Sequence, residues 1–343
     1  MESGELGGVK QSVAYSIDQY GGQLGVCIFF ILSGYFLINK PFRIQRVVRT
    51  ILQTFIYAIL LFVVSLVLSR LGVIAMPMSL IREAYLSLLP TFNGTYWFIT
   101  AYVALVLLSP VINAAFHNAS RKTLAFALAL SPVLSIMATV ALGPVLWTNL
   151  TYAITAYLYG AYIRTYGKDM HIAKRLSPLA VAALILSSFV IVSAFYYVLD
   201  DLSAVPKFIH SSHHVTGTLP ILPILSVSAI FLIIHNDNPS RHATKSPSRI
   251  RNVVYHAAKY VFGVYLIHEN PCIKNAFWDA ISRLLPPAPE LGIAVVLFGV
   301  VSVLMIYLSL LLAAFIIDSA IVRPIEKPLM KAKLLSTICQ KSN

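Results

Sequence analysis

A succession of apolar runs, each close to 20 residues long, constrains this 343-residue chain more than any other feature. A helix needs about 20 apolar residues to cross the ~30 Å hydrocarbon core of a bilayer. The period-two alternation typical of outer-membrane strands is missing from the sequence. The pattern therefore predicts an all-α, polytopic transmembrane bundle of about nine helices, with residues 1–343 as a single integral membrane domain. The predicted spans are residues 20–39, 47–69, 92–115, 123–142, 145–163, 178–199, 215–235, 254–273 and 291–317.

Charge and cysteine content exclude other classes of protein. Charged residues make up only 11% of the chain and apolar residues 58%, whereas a soluble domain carries roughly 25% charged residues. The net charge of +13 would suit a nucleic-acid partner, but the basic residues are sorted by connection, so we expect no nucleic-acid binding. Cys27, Cys272 and Cys339 lie far apart, and the histidines of residues 210–214 match no strong ligand spacing. We therefore expect no metal site.

The distribution of lysine and arginine predicts the orientation of the chain. Most of the 26 basic residues fall in every second connection and in the carboxyl-terminal tail. By the positive-inside rule, that face is cytoplasmic. The protein is then a multi-pass protein of the cell membrane, with its amino terminus outside and its carboxyl terminus in the cytoplasm.

Residues 1–19 contain no apolar run, and we expect them to form an outside loop. A chain that opens in an outside loop is expected to lack a first helix, because its start lies upstream or because the gene is truncated. The alternative is a first span that inserts with its short amino terminus outside.

The first cytoplasmic connection carries basic residues at three-residue spacing, namely Lys40, Arg43, Arg46 and Arg49. On one helix, residues three apart are neighbours, so these four are expected to form a cationic strip. Guanidinium groups bind phosphate bidentately, which would suit a phosphorylated cytoplasmic ligand. The alternative is a strip that only fixes topology and contacts lipid headgroups.

Two of the predicted spans contain candidate substrate contacts. Ser33, Gly34 and Tyr35 lie near the end of the first span, where small residues usually permit close helix approach. Trp97 and Tyr102 lie in the third span, where aromatic residues most often form an interfacial belt.

His268 is the candidate acid–base residue. It lies near the outer end of the eighth span and is followed by Asn270. An ionisable residue within a membrane is a functional candidate, and imidazole exchanges protons near neutral pH. The alternative is a histidine that is hydrogen-bonded inside the bundle for packing.

Several segments together resemble the acyltransferase family 3 membrane proteins, chiefly those of bacterial polysaccharide gene clusters. The matching segments are residues 25–37 (ending in FFILSGYFL), the basic strip, residues 96–102 (YWFITAY) with Ser109-Pro110, residues 160–164 (GAYIR) and residues 262–268 (FGVYLIH). The resemblance implies ten helices in a full-length member. It also implies transfer of an acyl group, often acetyl, from cytoplasmic acyl-CoA to a hydroxyl of a glycan or of its lipid-linked precursor.

The resemblance also implies roles for the candidate residues. Acyl-CoA is the cosubstrate and no cofactor is bound; Lys40, Arg43, Arg46 and Arg49 would grip the CoA phosphates. The acceptor and its passage would involve Ser33, Gly34, Tyr35, Trp97, Tyr102 and Asn270, with His268 as the catalytic candidate.

One part of the family pattern is missing from the sequence. The family's first helix usually carries an arginine and, about eleven positions later, a histidine, and no such pair is found in a suitable place here. Two other classes therefore stay open: a transporter or flippase for a glycan or small anion, and a non-catalytic remnant.

Overall fold

The computed structural model describes residues 2–75, 78–137, 148–171, 175–201, 221–236, 249–285 and 293–331. Within these ranges almost every residue is helical and no strand occurs, which confirms the all-α prediction. The chain divides into two compact units. The first unit comprises Met1–Phe42 and Ala104–His242, and the second comprises Arg43–Val103 and Ala243–Asn343. The single-domain organisation stays a prediction.

Thirteen α-helices lie in the described ranges. In chain order they are α1 (Glu2–Leu37), α2 (Ile44–Arg70), α3 (Leu80–Leu88), α4 (Trp97–Asn118), α5 (Arg121–Met137), α6 (Asn149–Tyr166), α7 (Pro178–Asp201), α8 (Ile221–Asn236), α9 (Arg249–Ala257), α10 (Val261–His268), α11 (Lys274–Leu284), α12 (Ile293–Ile317) and α13 (Arg323–Lys331). Short 3₁₀ helices occupy Gly167–Asp169 and Ala258–Tyr260, and a π-helical segment occupies Asp318–Val322.

Four helices within the described residues are long and apolar enough to cross a membrane. They are Tyr20–Leu37, Ile44–Arg70, Trp97–Asn118 and Leu297–Met330. Two shorter apolar helices are Pro178–Ala194 and Ile221–Asn236. Large apolar side chains such as Val67 and Leu304 remain more than half exposed, as on a surface that faces lipid. These observations confirm the membrane class, whereas the full count of nine spans stays a prediction.

In the first unit, helices α1 and α6 touch backbone to backbone. A Cβ atom on Gly34 would lie 1.9 Å from the carbonyl oxygen of Tyr157, and one on Gly160 would lie 2.0 Å from that of Ile31. The two glycines thus face the opposite backbone reciprocally. This close approach is what the small residues of the first span predicted.

Polar side chains of α4 and α6 cap the carboxyl end of α1. The last carbonyls of a helix have no partner within the helix. Here Asn113 donates to the carbonyl of Leu37 at 3.2 Å, and His117 Nε2 donates to the carbonyl of Ile38 at 3.1 Å. The hydroxyl of Tyr157 donates to Asn113 Oδ1 at 2.8 Å and so orients the amide.

Three predictions about local structure are wrong. Residues 2–19, expected as an outside loop, continue α1 as helix. A segment without an apolar run is not expected to span a membrane, but it can still be helical, because helical hydrogen bonds are internal to the backbone. The eighth span, expected over residues 254–273, is divided into α9, a 3₁₀ turn and α10. It ends at His268, since Pro271 disfavours helical backbone at the residue before it.

The third wrong prediction concerns the basic strip. Helix α2 begins only at Ile44, and Arg43 is its extended N-cap residue, with φ −139° and ψ 109°. Lys40 lies before Pro41, which disfavours helical backbone at the preceding residue. The four basic residues therefore do not lie on one helix. Only Arg46 and Arg49 are helical neighbours.

Candidate functional site

His268 ends helix α10, and only one of its ring nitrogens forms a hydrogen bond within the described part of the chain. Its Nδ1 donates a hydrogen bond to the carbonyl of Val264 at 2.8 Å. The proton of the neutral ring is therefore on Nδ1, and Nε2 carries the lone pair. Nε2 lies 3.7 Å from Glu269 Oε1, which is beyond hydrogen-bond length. The other oxygen of Glu269 binds Lys274 Nζ at 2.7 Å. The result is a partly exposed imidazole whose Nε2 carries a lone pair and faces Glu269.

A buried network holds the turn that follows His268. Asn270 is only 1% exposed. Its amide donates to the hydroxyl of Tyr96 at 2.8 Å and accepts from the backbone N–H of Cys272 at 3.0 Å. The hydroxyl of Tyr96 in turn donates to the carbonyl of Leu266 at 3.1 Å. The polar atoms of Asn270 thus serve the protein interior. Its predicted contact with substrate stays a prediction.

Aromatic side chains line one side of His268. The ring of Tyr265 meets the imidazole edge-on, with centroids 5.9 Å apart, and meets the ring of Phe98 at 5.2 Å. Trp97 is half-buried, and its ring contacts the edge of Phe98. The rings of Phe98 and Tyr265 therefore lie between Trp97 and His268 in one row of aromatic contacts.

The predicted donor-binding residues have different surroundings. Arg43 is exposed, and Arg46 is half-buried with its guanidinium within electrostatic range of Tyr102. Neither has an acidic partner among the described residues. Arg49, by contrast, forms an ion pair with Glu326.

Two residues of the first unit that were predicted to contact the donor or the acceptor contact other groups of the protein. Lys40 lies over the ring of Phe36, 5.9 Å from its centroid. The hydroxyl of Ser33 donates to the carbonyl of Phe29 within α1 at 2.8 Å. Lys40 thus belongs to the first unit, whereas Arg43, Arg46 and Arg49 belong to the second.

The structure adds a polar network that the sequence analysis missed. Asp318 begins the π-helical segment and is 5% exposed. Its Oδ1 accepts hydrogen bonds from the hydroxyl of Tyr57 at 2.8 Å and from the amide of Gln53 at 3.3 Å. Gln53 and Tyr57 lie one turn apart on α2, in register with Arg49. The signal available in the sequence was an acidic residue directly after the last apolar run, since such residues are costly inside a membrane.

Removal of the Tyr57 hydroxyl tests how strongly this network holds the second unit. In Tyr57→Phe the buried carboxylate of Asp318 keeps only the longer bond from Gln53. We expect a loss of about 1–3 kcal/mol of stability, the cost of leaving a buried acceptor poorly satisfied. The measurement is the thermal unfolding midpoint in detergent. Tyr255→Phe is the matched control because Tyr255 is 65% exposed; equal midpoints for the two variants would contradict the prediction.

A second missed residue, His235, lies at the end of α8 in the first unit. Its Nδ1 is 2.7 Å from the hydroxyl of Tyr35, and Arg164 donates to the same hydroxyl at 3.3 Å. The guanidinium of Arg164 also stacks over the ring of Tyr35, 5.0 Å from its centroid. Side chains from α6 and α8, Arg164 and His235, thus meet at the hydroxyl of Tyr35 on α1. The histidines of residues 210–214 lie outside the described residues.

Within the described residues, the chain is an all-α membrane protein with several long apolar helices. The sequence matches the profile of acyltransferase family 3, described as an acyltransferase domain, over residues 4–314. The chain therefore belongs to acyltransferase family 3 and is a membrane acyltransferase. Neither a curated protein nor a solved structure matches it.

Proposed function

We propose that this protein is an O-acyltransferase of the cell membrane. It moves an acyl group, with acetyl as the proposed group, from cytoplasmic acyl-CoA to a hydroxyl of a surface polysaccharide or of its lipid-linked precursor. Family membership supports the acyl transfer. The observation that carries the assignment of a base is the hydrogen bond from His268 Nδ1 to Val264, which leaves Nε2 as the basic nitrogen.

The chemistry assigned to His268 is general base catalysis. Nε2 accepts the proton of the acceptor hydroxyl while the oxygen attacks the thioester carbonyl. The tetrahedral intermediate collapses, the C–S bond breaks, and the imidazolium returns its proton to the CoA thiolate. The products are an ester and free CoA. Glu269, 3.7 Å from Nε2, stabilises the positive charge that the ring carries in between.

The donor is assigned to the end of α2 that carries Arg43 and Arg46. CoA is a phosphorylated molecule, and guanidinium groups bind phosphate oxygens in pairs. Because these two arginines have no acidic partner among the described residues, their charge is available to an anion. The proposed orientation places them in the cytoplasm, where acyl-CoA is found.

The acceptor is assigned to the aromatic side of His268. Trp97 offers a ring face to a sugar, and Tyr102, which lies within electrostatic range of Arg46, offers a hydroxyl on the passage between acceptor and donor. In the proposed orientation this acceptor half faces outward, the amino terminus is outside and the carboxyl terminus is cytoplasmic. Lipid surrounds the bundle.

Replacement of the donor arginines tests the assignment of acyl-CoA. In the double variant Arg43→Ala, Arg46→Ala we expect the KM for acyl-CoA to rise at least about tenfold, since each lost charge-assisted bond to phosphate is worth more than a kcal/mol. The KM for the glycan acceptor should stay the same. Initial rates of acetylation at varied acyl-CoA give both constants.

The matched control is Arg70→Ala, which removes the same charge from the other end of α2. It should leave both constants unchanged. An unchanged KM for acyl-CoA in the double variant would refute the donor site.

A second function, transport of a glycan or small anion, is favoured by one observation. Asp318 is a buried carboxylate next to a long apolar helix, at a π-helical segment. Such residues mark substrate and ion pathways in membranes. Flux of glycan across sealed vesicles without acyl-CoA would support transport. Labelling of the glycan that depends on acyl-CoA would support the enzyme.

A further inference from the structure

The hydroxyl of Tyr35 contacts both Arg164 and His235. Arg164 has only donors, so its guanidinium donates to the phenolic oxygen at 3.3 Å. The phenolic proton can be donated to His235 Nδ1, 2.7 Å away. When the phenol donates in this way, the proton of the neutral imidazole is on Nε2. This N–H donor has no protein partner among the described residues.

Positive charge gathers around that donor. Arg164 and Lys168 are exposed, and both lie within electrostatic range of the His235 imidazole. Asp169 is the one acidic side chain that the structure describes in the first unit, and it forms no ion pair with either cation within the described residues. Among the side chains that the structure describes, a guanidinium, an ammonium and an imidazole are thus grouped without an acidic partner.

Arg164 and His235 form more contacts than the orientation of the chain in the membrane requires. The positive-inside rule asks only for lysine or arginine near the end of a span. Here the guanidinium of Arg164 stacks on Tyr35, and the imidazole of His235 lies against Gly167, where a Cβ would come within 2.8 Å of its Cδ2. The amide of Asn236 also donates to the carbonyl of Gly167 at 3.2 Å. The arrangement is therefore built from three helices and the turn at Gly167, against which the imidazole packs.

We propose that Arg164, Lys168 and His235 form a binding site for a phosphate group, with Tyr35 as the residue that positions the guanidinium and the imidazole. Phosphate suits this donor set, because guanidinium and ammonium supply charge and the imidazole supplies a directed N–H. The phosphate belongs either to a soluble phosphate ester or to the headgroup of an anionic lipid. The site stands independently of the acyl donor proposed above.

Arginine footprinting gives a local test. The wild-type protein is placed in nanodiscs of phosphatidylcholine alone and treated with phenylglyoxal, and the modification of each arginine is measured by mass spectrometry. In one arm glycerol 3-phosphate is added, and in the other the nanodiscs contain phosphatidylglycerol. We expect one of the two to slow modification of Arg164 about tenfold, as expected for charge-assisted hydrogen bonds to phosphate. Protection by glycerol 3-phosphate identifies a soluble ester, and protection by phosphatidylglycerol identifies a lipid headgroup.

Arg121 is the internal control. It is also an exposed arginine of the first unit and stacks over the ring of Tyr166 at 5.3 Å, but it donates to the backbone of Asp169. Its modification should change less than about twofold, the limit for general screening of surface charge. Equal responses of Arg164 and Arg121 in both arms would overturn the proposal, whether or not the protein transfers acyl groups.

Two histidine variants complete the test. His235→Phe keeps a ring but removes the imidazole N–H, and it should abolish most of the protection of Arg164. His171→Phe changes an exposed histidine of the same unit and should preserve the protection. Full protection in His235→Phe would remove His235 from the site and contradict the proposed geometry.

Discussion

Replacement of His268 with asparagine is expected to lower the rate of acyl transfer by about 10²–10⁴-fold, the usual contribution of a positioned general base. Asparagine reproduces the Nδ1 donor, so the bond to the carbonyl of Val264 can persist and α10 can keep its end. It places no basic group at the position of Nε2. The release of CoA by the purified protein, with glycan acceptor present, gives the rate.

The asparagine variant separates catalysis from packing. If His268 only stabilises the carboxyl end of α10, the variant retains its activity within about twofold, because the hydrogen bond to Val264 is retained. His256→Asn is the matched control, since His256 is an exposed histidine of the same unit with no assigned role. Full activity in the control and near-complete loss in His268→Asn support the base. Wild-type activity in both would refute it.

The second large effect is expected at the contact between α1 and α6. In Gly34→Ala the new Cβ would lie 1.9 Å from the carbonyl oxygen of Tyr157. A backbone atom cannot yield as a flexible side chain does, so the two helices must separate. Overpacking in a tight core costs typically about 1–3 kcal/mol, and this contact falls at or above the upper end. A lower thermal unfolding midpoint in detergent is the readout.

Gly25→Ala provides the comparison for this prediction. Gly25 lies on the same helix, and a Cβ there meets no atom within 4 Å. Alanine is a better helix former than glycine by about 1 kcal/mol, so the control should be neutral or slightly stabilised. An unfolding midpoint for Gly34→Ala as high as that of the control would contradict the direct backbone contact.

The sequence predicts the class of fold well because the bilayer imposes its thickness on every spanning helix. The apolar runs of α2 and α4 are each long enough to be recognised as membrane spans without further information. Helices α3 and α11 were missed because each is short and amphipathic, and neither forms an apolar run. The separation of Lys40 from α2 depends on Pro41, whose local restriction outweighs the three-residue periodicity.

The candidate site was predicted in part. His268 was found because an ionisable residue in an apolar segment is conspicuous. The tautomer of His268 could not be predicted, because it depends on the hydrogen bond between Nδ1 and the carbonyl of Val264. His235 and Tyr35 are about 200 positions apart in the chain, so their hydrogen bond depends on the packing of α8 against α1. Pairings of this kind are not encoded in local spacing.

Sided membrane vesicles give the most direct test of the central claim, that the acyl group comes from a cytoplasmic thioester and ends on a glycan hydroxyl. Radiolabelled acetyl-CoA, which does not cross membranes, is added outside inverted vesicles and outside right-side-out vesicles that contain the protein and its glycan. The account predicts alkali-labile label in the glycan of the inverted vesicles alone. Label only in the right-side-out vesicles, or in neither preparation, would contradict it.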